Sequence, residues 1–207
     1  MSSPPFSRFA LFTAIGAVVW ISFLPLYDLL FSWTEFVPGI NWIYLPHGLR
    51  MMLVLLLGPA GALGFSIGAA LYTSFTTHGP QLNSELDLIL ALIPGLAAWF
   101  AVMLTFRQWP GQSLRPLVHA GTQALDGRRL LLLAFVSAIL NSTSHITTRY
   151  ALGHEVHEWG DLLMAMLIGD FFGALLLLYT LKGCIVLLDN INATSMHHDR
   201  QAKSESP

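Results

Sequence analysis

Five apolar runs separated by short polar stretches organise the chain, at residues 9–31, 45–75, 88–106, 130–150 and 162–188. Most reach the roughly twenty residues that a helix needs to cross a hydrocarbon core ~30 Å thick. The second run is too long for a single crossing: as one helix its 31 residues would extend about 46 Å at ~1.5 Å per residue. Gly58-Pro59-Ala60-Gly61 interrupts it near its middle, and glycine beside proline is a strong turn signal. The pattern therefore predicts two short helices on either side of Gly58, and six helices in all.

Charge placement favours the same division. Eight of the ten basic residues fall in three places: Arg8; Arg107, Arg115, Arg128 and Arg129; and Lys182, Arg200 and Lys203. Residues 33–44 and 76–87 carry no Lys or Arg but contain Glu35, Glu85 and Asp87. Cytoplasmic loops of membrane proteins collect Lys and Arg, and only two passes around Gly58 put all three basic regions on one side. The expectation is six crossings with both termini cytoplasmic. Trp33, Trp42, Tyr44 and Trp159 then form an outer aromatic belt, and Trp109 lies at the inner interface. The two middle passes span roughly 20–25 Å each, which fits either tilted helices or a re-entrant hairpin inside the bundle.

Composition agrees with this picture. The 207 residues are 54% hydrophobic and 11% charged, with a mean hydropathy of +0.60, too little charge to cover the surface of a water-soluble domain. The expected fold class is all-α, a polytopic membrane helical bundle. Residues 1–188 form one integral membrane domain, and residues 189–207 form a polar cytoplasmic tail without order. A formal charge of -2 gives no reason to expect nucleic acid, and the lipid bilayer is the first partner. The first run is longer than a signal-peptide core and has no small-residue cleavage site after it, so it reads as a retained helix. The single cysteine, Cys184, excludes an internal disulfide and reads as a small packing residue near a helix end.

Against this apolar background, Asp170 stands near the middle of the last run. A carboxylate at that depth is costly unless paired, hydrated or protonated. The preceding run turns polar after Val136, where Ser137, Asn141, Ser144, His145, Thr148 and Arg149 follow helical spacing along one stripe. Such a stripe belongs in a bundle interior or a wet cavity. By helical rise, Asn141 lies ~12 Å and Asp170 ~13 Å below the same interface, so Asn141 and Ser144 are expected to donate hydrogen bonds to Asp170. Gly169 and Gly173 would admit a closely packed partner. Arg50, ~6 Å below that interface, is a possible counter-charge with His47 above it. The cluster Arg50, His47, Asn141, Ser144, His145, Arg149 and Asp170 fits three roles: a structural tie between helices, a ligand-sensing pocket, or an ion or proton path.

Other features are weaker. His154, His157 and Glu158 in the outer loop could hold a divalent metal, although a solvated loop explains them as well. His197, His198 and Asp199 invite the same thought. Gly61, Gly64 and Gly68 fit close helix packing. No nucleophile–base pair, phosphate loop or zinc spacing stands out, so an enzyme is not expected and no cofactor is implied.

Residues 44–50, Tyr-Leu-Pro-His-Gly-Leu-Arg, lead into an apolar stretch that ends at Leu57-Gly58-Pro59, and residues 168–175 read Ile-Gly-Asp-Phe-Phe-Gly-Ala-Leu. Together these resemble the membrane-associated sensor (MASE-type) domains of bacterial signalling proteins, over roughly residues 44–178. The resemblance implies a sensory module of the bacterial inner membrane with a ligand pocket between helices, and it carries over to Pro46, Arg50 and Asp170. Such domains usually have more helices and continue into a kinase or cyclase, so a separate signalling protein is the implied partner. The alternative expectation is the membrane component of a small-molecule transporter, in which a transport protein would be the partner.

Overall fold

The computed structural model describes residues 5–37, 40–76, 85–106, 126–151 and 159–204. Among these the chain forms six helices: α1 (Pro5–Phe31), α2 (Leu45–Leu57), α3 (Pro59–Thr76), α4 (Glu85–Phe106), α5 (Gly127–Ala151) and α6 (Trp159–Ser204). A 3-10 turn at Ser32–Thr34 and a small antiparallel ribbon, β1 (Glu35–Val37) with β2 (Ile40–Asn41), join α1 to α2. Among the described residues the ribbon is the one departure from an all-helical chain. Three segments among the described residues are long and apolar enough to cross a membrane: Phe6–Thr34, Gly127–Thr148 and Trp159–Leu188. Leu45–Leu57 and Leu92–Phe106 are shorter apolar helices.

The break at Gly58 is real. Gly58 has φ 62°, a region that costs a side-chain-bearing residue energy and glycine little. Its N–H caps Val54 at 2.8 Å, while its carbonyl accepts from Gly61 at 3.0 Å, so α2 ends and α3 begins across one residue. Pro59 suits the first turn of α3, where a missing N–H costs nothing. The chain reverses there: Gly61 packs on Leu53, and Phe65 reaches back to Arg50.

Paired contacts give the helix directions. Gly64 meets Thr13 and Gly16, Gly68 meets Ala17 and Trp20, and the Tyr72 hydroxyl reaches Asp28, so α1 and α3 run parallel. Asn41 and Tyr44 lie against Gly169 and Gly173, and Gly48 against Gly173 and Leu177, so α2 runs with α6. Asn141 meets Asp170 while Gly127 meets Tyr179, so α5 opposes α6. The glycines of α3 thus serve close packing, as their spacing suggests.

At thirteen residues, α2 is ~20 Å long, yet ten of its residues are buried. It sits at the centre with other helices around it. One apolar core joins Met51, Val54 and Leu55 of α2 to Ala98, Ala101 and Val102 of α4, Leu130 and Leu133 of α5, and Leu178 of α6. A second joins Leu49 and Leu53 to Trp20 and Phe65. The outer surface is apolar too, with Leu11, Val18, Leu26, Leu71, Leu132, Phe135, Phe172 and Leu187 all exposed. Polar side chains inside and large hydrocarbons outside reverse the arrangement of a water-soluble domain, and with the three long apolar helices they are consistent with a membrane protein.

Helix α6 continues through Ser204. One expectation changes: Cys184 is exposed rather than packed.

Close approach of backbone to backbone fixes α2 against α6. The Tyr44 N–H donates to the Gly169 carbonyl at 3.0 Å, and a Cβ on Gly173 would collide with the Tyr44 carbonyl. Gly173→Ala should therefore destabilise the detergent-solubilised protein by ~1–3 kcal/mol through overpacking. Gly183→Ala, where a Cβ meets nothing within 4 Å, should leave thermal unfolding unchanged. Equal melting behaviour of the two variants would contradict this packing.

Candidate functional site

The short α2 brings two polar side chains, His47 and Arg50, onto one face one turn apart. Both are buried, at 0% and 4% exposure. They point toward the polar stretch of α5 and toward Asp170 of α6, itself 1% exposed. Burial of a guanidinium and a carboxylate is tolerable only if each keeps its hydrogen bonds and the opposite charge is near.

Asn141 links the two charges. Arg50 Nη1 donates to Asn141 Oδ1 at 2.7 Å, and Asn141 Nδ2 donates to Asp170 Oδ2 at 2.6 Å. One amide thus accepts from the cation and donates to the anion, which its donor–acceptor inventory allows and a leucine's would not. Ser142 adds a longer bond to the same carboxylate oxygen at 3.4 Å. Arg50 and Asp170 are therefore joined through Asn141 rather than by a direct ion pair. The guanidinium also lies over Phe65, with Cζ 4.7 Å from the ring centroid, and 5.7 Å from that of Trp20. Trp20 and Phe65 pack edge to face at 4.3 Å. In a desolvated setting such a cation–π contact is worth about 2 kcal/mol, so the aromatic walls from α1 and α3 help hold the cation.

His47 completes the cluster, and its protonation pattern can be read from its neighbours. The Ser137 hydroxyl donates its one proton to the Ala134 carbonyl at 3.0 Å. At 3.0 Å from His47 Nε2 it must then accept, so Nε2 carries a hydrogen. In the neutral ring Nδ1 is the acceptor, and Arg50 Nη1 faces it at 3.3 Å. Asp170 Oδ1 lies 3.7 Å from that same Nδ1 and makes no hydrogen bond among the described residues.

Several sequence expectations can now be placed. Asn141 is where depth put it, on Asp170, and Arg50 is in the same cluster. Ser144 does not reach Asp170: its hydroxyl bonds back to Leu140, and that of Thr148 to Ser144. Ser142, off the stripe, takes the place expected of Ser144. His145 is half-buried on the turn beyond Asn141. The side chain of Arg149 lies outside the described residues, as do His154, His157 and Glu158. Among the described residues no three His, Cys, Asp or Glu side chains converge as a metal site would require. Sequence reasoning missed Trp20 and Phe65, for which one-dimensional spacing gives no signal. It placed Ser137 on the stripe without seeing that it orients His47.

The chain matches no family model, no curated protein and no solved structure.

If Asn141 is the bridge, Asn141→Leu should cost at least ~2 kcal/mol, because both charges lose a bond worth about 1.5–3 kcal/mol. Ser144→Ala should stay within ~0.5 kcal/mol. Reversible unfolding in mixed micelles measures both; a Ser144 effect equal to that of Asn141 would refute the assignment.

Proposed function

We propose that this protein crosses the bacterial inner membrane six times, with both termini cytoplasmic, and acts as a sensory or regulatory module. In this reading the Arg50–His47–Asn141–Asp170 cluster sets the position of α6. The observation that carries the proposal is the place of that cluster. It ties the short central α2 to α5 and α6 through buried charge, and α6 continues unbroken for 46 residues. At ~1.5 Å per residue that helix is ~69 Å long, more than twice a hydrocarbon core of ~30 Å. A change at Asp170 therefore has a rigid route to the cytoplasmic end of α6, where a separate signalling protein would read it.

The crossing pattern rests on the helix directions. Helices α1, α3 and α5 share one direction and α2 and α6 the other, which supports a pattern of alternate crossings. The buried polar cluster inside an apolar exterior supports intramembrane function, since ionisable residues at that depth are expensive and usually retained for a purpose. The resemblance to MASE-type domains points the same way, because Pro46, Arg50 and Asp170 are the residues it shares.

Two measurements test this. Reporter fusions after Gly79 and after Pro116 should report outside and inside, respectively; an inward Gly79 would overturn the crossing pattern. A spin label on the native Cys184, the sole cysteine and exposed on α6, should change its mobility in Asp170→Asn while the fold is kept. An identical label spectrum in a folded Asp170→Asn protein would reduce the cluster to a structural tie.

A further inference from the structure

We propose that the ligand of this cluster is a proton, held between His47 Nδ1 and Asp170 Oδ1. The inference rests on the sensory reading above and names what that site would sense. Two features of the geometry carry it. First, the two atoms face each other at 3.7 Å as acceptors: Nδ1 because Nε2 carries the ring hydrogen toward Ser137, and Oδ1 as a carboxylate oxygen without a donor among the described residues. Opposed lone pairs at that distance are what one added proton would bridge. Second, the side chains around them already touch, through the contacts of Arg50 with Asn141 and His47 and of Asn141 with Asp170. A proton binds there without displacing the bonds of Asn141 to Arg50 and to Asp170.

Other groups around the imidazole do not supply that proton. Among the described residues the charges facing His47 are Arg50 on its own helix and Asp170 on α6. Helix α5 presents the neutral Ser137 and Asn141. Helix α3 brings Phe65 and α1 brings Trp20, both against Arg50, and α4 contributes Ala98, Ala101 and Val102 to the adjacent core. Before α2, Tyr44 packs edge-on against Tyr27, and both phenols are neutral donors or acceptors near neutral pH.

The step balances simply. One proton from water adds to Nδ1, the bond Nδ1–H···Oδ1 forms, and the net charge of His47, Arg50 and Asp170 rises from zero to +1. Nδ1 can then no longer accept from Arg50 Nη1, which keeps Asn141 Oδ1 as its acceptor. His47 exchanges a bond to its own helix for one to α6, which pulls α2 and α6 together at that level. This gives the cluster two discrete arrangements, the property a switch requires.

The test uses the full-length protein in nanodiscs with a pH-insensitive fluorophore on Cys184, read from about pH 4 to pH 9, alongside infrared difference spectra between the same endpoints. The expected result is one sigmoidal fluorescence transition, with infrared bands of the imidazole and carboxyl titrating together. His47→Gln and Asp170→Asn should each abolish the transition. Ser137→Ala keeps the titrating pair but removes the acceptor for Nε2–H, a bond stronger to the imidazolium. It should move the midpoint down by about one pH unit, a shift that a merely structural serine would not produce. Absence of any titrating band lost in both His47→Gln and Asp170→Asn would overturn the proton proposal. If Asp170→Asn nevertheless changes the Cys184 signal, the sensory reading survives without the proton. Titrating bands with a silent Cys184 would keep the proton site and remove the sensory role.

Discussion

The bridge from Arg50 through Asn141 to Asp170 is the constraint on which the rest of the structure depends. A guanidinium and a carboxylate removed from water lose several kcal/mol of solvation each, and their attraction offsets that only when hydrogen bonds are also satisfied. Asn141 gives each of them one short bond at once, at 2.7 and 2.6 Å. Its two partners stand on different helices, so three elements must meet at one depth: α2, α5 and α6. The face of Phe65 and the nearby ring of Trp20 then enclose the cation from α3 and α1. Five of the six helices are thereby fixed around one buried group.

That convergence is possible only because backbone can approach backbone. Helix α2 and the residues before it lie on the Gly169–Gly173 face of α6, with Gly48 turned toward Gly173. Side chains there would push α2 outward and lift His47 and Arg50 away from Asp170. The one-residue turn at Gly58 does the same at the other end, returning the chain so that Phe65 lies under Arg50. Between apolar surroundings, where helices gain little from hydrophobic association, small residues and buried polar contacts are the forces left to specify packing. This protein uses both within a few ångströms of each other.

Much of this was legible in the chain. The five runs and the glycine break predict the six helices, because apolar length and Gly-Pro are local signals. Asn141 and Asp170 could be matched because two antiparallel helices joined by a short loop convert sequence offset into depth. The Gly169–Gly173 pair announced a close neighbour, which is the approach to α2; glycine spacing does not encode which element fills the groove. Ser144 and Thr148 misled for a physical reason: helical hydroxyls bond readily to carbonyls four residues back, so a continuous polar stripe can be satisfied on its own helix. Ser142, off the stripe, reaches Asp170 instead, and Trp20 and Phe65 enter through tertiary packing alone. The β1–β2 ribbon, five residues in two strands, is too short to leave a pattern.

The central claim is that Arg50 and Asp170 act as one coupled pair through Asn141, and a double-mutant cycle measures that coupling directly. Arg50→Gln and Asp170→Asn should each destabilise the folded protein by ~3–5 kcal/mol, since each leaves one buried charge uncompensated. The double variant removes both charges and should cost less than the sum by at least ~1 kcal/mol. Additive effects within ~0.5 kcal/mol would mean that the two residues do not sense each other, and would contradict the account.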